Sequence, residues 1–438
     1  MGVSAGAHDL KHRRHQEARV PDADGASLAA MYLYGDVLES VVERVPAADL
    51  AAAARVSREW LRAVRAALRR RPRRLPWLVV HLQGPRSVGG GGGLRCAAAY
   101  DPCSGVWLAV PAAPRHATPS HVRLLRGSRG DRVCALSLSG LAVAADPFGT
   151  TAGCVAPLDA PTVWRVDPVF AAVGDRVVAL GGACRLALAD GGDAAAVEVH
   201  EAGGGWTTCD PMPDALRDSA AATWLSAAAT DQRVYLVERT TGWASWFDPA
   251  NRRWGPTRRL GPDAAVATWG VAPGRVVGAE ERLVLFGAKR ADKEAECTVV
   301  VQAWEVDGDT LEQTPSASSD AMPPELSERL FPRDDIDDDD DDDEEELDDR
   351  SLSIGVCGNA AGGYVYNAAE PANGAVLYEL WEEGKAKGST TAVARWYWVP
   401  CAPADAAVLA QPLGRAILAC SPVGLDELAL AVGARGPR

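Results

Sequence analysis

Long hydrophobic runs are missing from this chain of 438 residues. Nowhere do about 18 apolar residues follow one another, so no membrane-spanning helix is expected. The first twenty residues are polar and rich in His and Arg, without the apolar centre of a secretory signal. No two of the ten cysteines are spaced C-x-x-C, which excludes a zinc knuckle and a thioredoxin-type redox pair. Thiols in such a chain point to a reducing compartment, cytoplasm or nucleus. Catalytic signatures are equally scarce: there is no G-x-G-x-x-G after a strand, no P-loop and no G-x-S-x-G. After Ala30 the histidines are His81, His116, His121 and His200, too few and too early for a metal site drawn from several segments. His116 and His121 flank Pro119 in what reads as an exposed polar loop, and the pair Glu280/Glu281 reads as solvated loop residues. No catalytic residue, cofactor or metal is expected.

Surplus positive charge is also absent. The net charge is −14, and residues 334–349 hold 14 acidic side chains in 16 positions. Without that run acids and bases balance, so the chain has no protein-wide positive field to attract a nucleic acid. The run repels itself and has almost no apolar content, the composition of a disordered insertion, placed at about 313–350. A docking segment for a basic partner is the less favoured reading. Residues 1–30 lack periodicity and read as a disordered tail whose His8, His12 and His15 are incidental. At residues 69–74 the run RRRPRR reads as a solvated helix end rather than an import or phosphate-binding patch.

What is present begins with helices. Residues 31–74 carry three short ones. The first starts at Asp36, carries Leu38, Val41, Val42 and Val45 and is expected to end at Pro46. The second runs through Asp49 and Leu50 to Val56. Ser57 is placed to cap the third, whose Trp60, Leu61, Val64 and Leu68 share a face. So small a unit completes its burial on a partner or a following domain.

From Trp77 to Leu430 the pattern changes to short apolar segments separated by turn signals, an all-β pattern. Fourteen tryptophans against five phenylalanines ask for a repeated structural use. Tyr100-Asp101-Pro102 with Trp107 recurs as Phe247-Asp248-Pro249 with Trp254. His200-Glu201 with Trp206, Trp304 with Leu311, and Tyr378 with Trp396 and Trp398 are looser copies, and Ala145-Asp146-Pro147 fills the remaining gap. The anchors Tyr100, Ala145, His200, Phe247 and Trp304 lie 45, 55, 47 and 57 residues apart, near the kelch period of about 50. Each Asp turn would join two antiparallel strands whose aromatics face each other. Pro211-Met212-Pro213 and Ala321-Met322-Pro323 match as exits from their units, and Gly181-Gly182 stands where a kelch unit carries its glycine pair. Six blades fill residues 77–430. Val408–Gln411 and Arg415–Cys420 are expected to pair with the first strand and close the ring.

Leu33-Tyr34-Gly35-Asp36-Val37-Leu38, Val45-Pro46-Ala47-Ala48-Asp49-Leu50 and Arg55-Val56-Ser57-Arg58-Glu59-Trp60 together resemble an F-box. Followed by kelch-like units, the chain resembles a plant F-box/kelch-repeat protein from Met31 to about Leu430. The resemblance implies a fold that is mainly β: a six-bladed kelch-type β-propeller preceded by a three-helix F-box domain at residues 31–74. It implies a non-catalytic substrate receptor of a Skp–cullin–F-box ubiquitin ligase, with a Skp-type adaptor, and through it cullin, as partners. A substrate protein would sit on the propeller, and a phenylpropanoid or flavonoid pathway enzyme is the substrate class some members suggest. The alternative is a propeller scaffold outside any ligase. The adaptor-facing residues implied are Leu33, Tyr34, Leu38, Val42, Val45, Pro46, Leu50, Val56, Trp60 and Leu61. About half of them are expected to serve the module's own core, with Trp60 the strongest contact. Tyr34 departs from the family's proline, and Ser57 from its cysteine.

Overall fold

The structure is a computed structural model. It describes residues 35–70, 75–83, 95–110, 121–124, 126–127, 133–137, 140–144, 155–163, 165, 168–182, 195–217, 224–277, 280–293, 296–313, 319–332, 352–371, 373–382, 392–403 and 415–421. The expected tail, the acidic run, Ala145-Asp146-Pro147, His116 and Val408–Gln411 fall outside these.

Three helices come first: α1 (Gly35–Val42), α2 (Ala47–Ala53) and α3 (Arg58–Arg70). Helix α1 stops four residues short of Pro46, which instead occupies the N-cap of α2. Its ring fixes the extended-to-helical entry there and its missing N–H costs nothing at a helix start. Helix α2 ends at Ala53, not Val56. Ser57 caps α3 as expected, its Oγ accepting the Trp60 amide at 3.2 Å. Leu38 and Val42 of α1, Leu50 of α2, and Ala63, Val64 and Ala67 of α3 form one buried cluster.

The described strands that follow make six sheets, antiparallel but for one short parallel pair. Named in chain order and read from inner to outer strand, sheet I is Arg415–Ser421, Trp77–Gln83, Arg95–Asp101 and Val106–Val110. Sheet II is His121–Leu124, Val133–Ser137, Gly140–Ala144 and Val155–Leu158. Sheet III is Val169–Val173, Arg176–Leu180, Val197–Glu201 and Gly205–Cys209, with Arg126–Gly127 added in parallel beside its inner strand. Sheet IV is Leu225–Ala229, Val234–Glu238 and Trp243–Asp248, edged by Arg253–Trp254 and Arg258–Arg259. Sheet V is Thr268–Val277, Glu280–Lys293, Glu296–Asp307 and Asp320–Ala321; sheet VI is Ile354–Asn359, Gly362–Asn367, Ala375–Glu382 and Ala392–Val399.

Five sheets pack through described side chains as blades of a β-propeller, in the order III, IV, V, VI, I. Val178, Val197, Ala227 and Phe247 join III to IV, while Tyr235, Trp269, Leu283 and Trp304 join IV to V. Phe286, Val301, Ile354 and Tyr378 join V to VI, and Tyr364, Leu377, Leu78 and Tyr100 join VI to I. Six blades were expected, so the count with packed faces is one fewer. The difference lies in sheet II, whose described packing is limited to Leu158 against Phe170, Val177 and Ala179 of sheet III, and whose sequence unit has no tryptophan to anchor it. Alanine fills the inner strands: Ala171, Ala172, Ala227, Ala228 and Ala229 are all buried. Wedge-shaped blades converge on the axis, and small side chains fit where the sheets are closest. Two further helices, α4 (Asp214–Arg217) and α5 (Pro324–Leu330), follow the matching Met-Pro exits. Met212 and Met322 are both buried, and their amides donate to Ala195 and Val301 carbonyls at 2.9 Å.

The ring closes through Arg415–Ser421, which pairs along the whole of Trp77–Gln83, from Trp77↔Ser421 to Gln83↔Arg415. That pairing gives blade I its inner strand from the far end of the chain.

Candidate interaction surfaces

The repeated turns work as the sequence suggested. The Asp101 carboxylate accepts the Cys103 amide at 3.0 Å and the Ser104 hydroxyl at 2.7 Å. Asp248 accepts the amides of Ala250 and Asn251 at 2.8 and 3.0 Å. In blade V the equivalent residue is Asp307, which accepts the amides of Asp309 and Thr310. The sequence alignment of Trp304 with Leu311 is therefore shifted: Val306 pairs with Gln313, and Leu311 takes the positive φ of 59° that Gly105 and Arg252 take in the sister turns. A carboxylate binding successive turn amides is an Asx turn, which fixes the strand reversal locally. Burial pushes the Asp248 carboxyl up, but the donors of Asn251 and Ala250 outweigh it and hold its pKa below the usual range. Asp307 is held low in the same way by Thr310 and Asp309 against its own burial.

Tryptophan has the repeated use that its abundance implied. Trp107, Trp206 and Trp254 face Tyr100, His200 and Phe247 across paired strands, with ring centroids 5.3, 5.3 and 5.2 Å apart. Each indole N–H also reaches the preceding sheet. Trp107 donates to the Pro400 carbonyl at 3.1 Å, Trp206 to Asp159 at 2.6 Å and Trp254 to Asp210 at 3.2 Å. Each acceptor is the residue just past the outer strand of that sheet, so one side chain ties two neighbours.

Sequence reading missed the buried ion pair of blade III. Arg165 and Glu198 meet at 3.1 Å with side chains 1% and 0% exposed. Arg165 also donates to the Gly181 and Ala196 carbonyls at 2.7 Å, while Glu198 accepts the Thr162 amide at 2.8 Å. Burial lowers the Arg165 pKa and Glu198 opposes that shift. Gly181 and Gly182 both take positive φ, 67° and 64°, which presents the Gly181 carbonyl to the guanidinium. The glycine pair was legible; its cationic partner was not. Glu280 and Glu281 correct another expectation. They open a strand of blade V, and Glu281 accepts the hydroxyls of Thr230 and Tyr235 at 2.8 and 3.0 Å. His121 likewise begins a strand instead of lying in a loop.

No catalytic constellation was expected, and the candidate sites are surfaces. In the helical module Leu38, Val42 and Leu50 are interior, and Val45 and Trp60 pack half-buried against them. Leu61 is half-buried, whereas Pro46 and Val56 are exposed, Val56 at 65%. Leu33 and Tyr34 lie outside the described residues. An apolar residue that the sequence reading left out is Val37, 59% exposed. The signal for it was its four-residue spacing from Val41, a second stripe beside Leu38 and Val42.

Strand polarity sorts the propeller into two ends. The chain arrives from the helices at Trp77, beside Ser421 and on the end that carries the Asp turns. The opposite end carries the links between blades and the turns between second and third strands. Helix α5, Leu352 and the open end of the long hairpin Glu280–Lys293/Glu296–Asp307 all lie there. The inner and outer strands of the same sheet pair with that hairpin only as far as Ala288 and Gln302. Pro332 and Leu352, the described residues flanking the acidic run, are on this end too. Among the described residues no three His, Cys, Asp or Glu side chains are placed to hold a metal ion. No described helix is long and apolar enough to cross a membrane.

A β-propeller behind a three-helix module, with open surfaces at both and tryptophan ties between blades, defines a repeat-type interaction protein. The chain is 31% identical over 404 residues, 91% of each chain, to an F-box/kelch-repeat protein of Arabidopsis thaliana, and it belongs to the F-box/kelch-repeat family. No family profile matches it. Among solved structures it is similar to Hsv2 of Kluyveromyces lactis at 8% identity, covering 70% of this chain and 80% of that one with a TM-score of 0.32. It is also similar to apo AztD of Citrobacter koseri at 11% identity, 80% and 100% coverage and a TM-score of 0.30.

Proposed function

We propose that the protein is the substrate-recognition subunit of a Skp–cullin–F-box ubiquitin ligase. The observation that carries this reading is the exposed apolar surface at Val37, Pro46 and Val56, on a module whose own core is already filled by Leu38, Val42, Leu50 and Val64. Apolar side chains left outside a completed core suit a docking surface, and family membership supports a Skp-type adaptor as its occupant. Trp60 and Leu61, half-buried in the same module, extend the contact, and Leu33 and Tyr34 precede it in sequence. The propeller holds a protein to be ubiquitinated on its loop-bearing end, away from the helices. Function is then positioning: the ligase raises the local concentration of a lysine-bearing target near the ubiquitin-conjugating enzyme, and the propeller does no chemistry. A phenylpropanoid or flavonoid pathway enzyme is the substrate class we favour, and the complex works in the cytoplasm or nucleus.

The test is co-purification with a Skp-type adaptor. Wild type is expected to bind it. Val56→Asp, a change on an exposed side chain that leaves the helices intact by circular dichroism, is expected to weaken binding at least tenfold. Leu33→Ala/Trp60→Ala should do the same. Absence of binding by the wild type rejects the ligase role and leaves a propeller scaffold outside any ligase. Proximity labelling with and without proteasome inhibition identifies the substrate as the labelled protein that accumulates.

A further inference from the structure

We propose that Cys357 and Cys420 are an oxidisable thiol pair, a modification site that locks the seam where the propeller closes. Cys357 lies on the inner strand of blade VI and Cys420 on the inner strand of blade I. Strand alternation aims them at each other. Cys357 shares a row with Tyr364 and Leu377, whereas its neighbours Ile354 and Val356 face blade V. Cys420 shares a row with Leu78, Tyr100 and Trp107. These two rows are the two walls of one cluster, and both cysteines pack against it. The two inner strands are direct neighbours, with residues whose Cα atoms come within 8 Å of one another, and a disulfide requires Cα atoms roughly 4.4–6.8 Å apart. After the larger effect of burial, both sulfurs act on the Tyr364 hydroxyl and raise its pKa, which places them in one neighbourhood. Both are partly exposed and held as thiols. Among the described residues, Cys103 and Cys401 are exposed and Cys209 packs against the cluster between blades III and IV, and none of the three packs into the cluster that holds Cys357 and Cys420.

The co-reactant is a peroxide. One thiolate attacks the peroxide oxygen, giving a sulfenic acid and water. The second thiol then displaces the sulfenic oxygen as a second water and forms the S–S bond. Two thiols thus lose two hydrogens and two electrons, and hydrogen peroxide gains them. In a reducing compartment the pair rests as thiols, so the lock responds to oxidant. The product joins the terminal strand covalently to blade VI, in addition to its hydrogen bonds to Trp77–Gln83.

The experiment exposes the full chain to hydrogen peroxide, alkylates it and maps peptides without reductant, with folding followed by circular dichroism. The expected result is one species carrying both Cys357 and Cys420, lighter than its parts by two hydrogens. The melting temperature should rise by a few degrees, and dithiothreitol should reverse this. Cys357→Ala should lose both effects and Cys401→Ala should keep both. The wild-type peptide map decides alone if a variant does not fold. Recovery of the two peptides separately, whether alkylated or overoxidised, overturns the proposal, as does linkage of either cysteine to a different one in the folded protein.

Discussion

Glu198 shows how much of a fold can rest on one side chain that announces nothing in sequence. It stands in the alternation Val197-Glu198-Val199, where a charged residue normally faces solvent. In the protein it is fully buried, because Arg165 and the amides of Thr162 and Val163 converge on it. Removing one partner of such a pair leaves an uncompensated charge inside, so Glu198→Ala is expected to cost about 3–5 kcal/mol. Urea unfolding measures it, and a loss under about 1 kcal/mol would show that solvent reaches Arg165. The pair was illegible because it joins a strand to a linker with no periodic pattern. The helical module's inner and outer faces were legible only in part for a related reason. Heptad-like spacing marks apolar stripes, but not which stripe faces inward. Leu38, Val42 and Leu50 went to the core and Val37 went outside.

Among elements, the turn-plus-tryptophan unit was the most readable, since Asp, Pro and Trp act through local geometry that the sequence states outright. Trp254→Phe keeps the packing on Phe247 and removes only the N–H to Asp210. A loss of ~1 kcal/mol is expected from the indole hydrogen bond, read as a lower urea midpoint. The Asp turns add a pH dependence. The carboxyl pKa values of Asp248 and Asp307 are depressed in the folded protein, so the stability these two contribute is complete above the unfolded value of about 3.9. It is lost as pH falls through the lower folded values. Urea midpoints measured from about pH 5 to about pH 2 should fall below pH ~4, and Asp248→Asn should flatten that slope. A midpoint unchanged across the interval would show that these turns are not coupled to folding. Two short helices were not read from the sequence: α4 has four residues and α5 has seven, few for a helical repeat to show.

For the whole molecule, repetition made the architecture legible. Anchors near a fixed spacing implied stacked, similar units, and the final strand was correctly matched to the first. Blade number was less readable because the unit after Val110 has no tryptophan and keeps only the turn residues Asp146-Pro147. Closure is where global stability should concentrate. Without Arg415–Ser421, the edge of Trp77–Gln83 is unpaired, and the buried Trp77, Leu78, Val79 and Val80 lose their cover. A chain ending before Arg415 is therefore expected to melt roughly 10 °C lower or more and to self-associate on size-exclusion chromatography. A monomer with unchanged melting would mean that the ring does not need its clasp.

That borrowed strand also sets a timetable for synthesis. Trp77–Gln83 leaves the ribosome more than three hundred residues ahead of its partner, and at about 5–20 residues per second the wait lasts tens of seconds. During that interval the nascent protein holds a sticky, half-built sheet, a natural target for chaperones. A prematurely terminated product never completes that sheet, so its first blade keeps an unpaired edge.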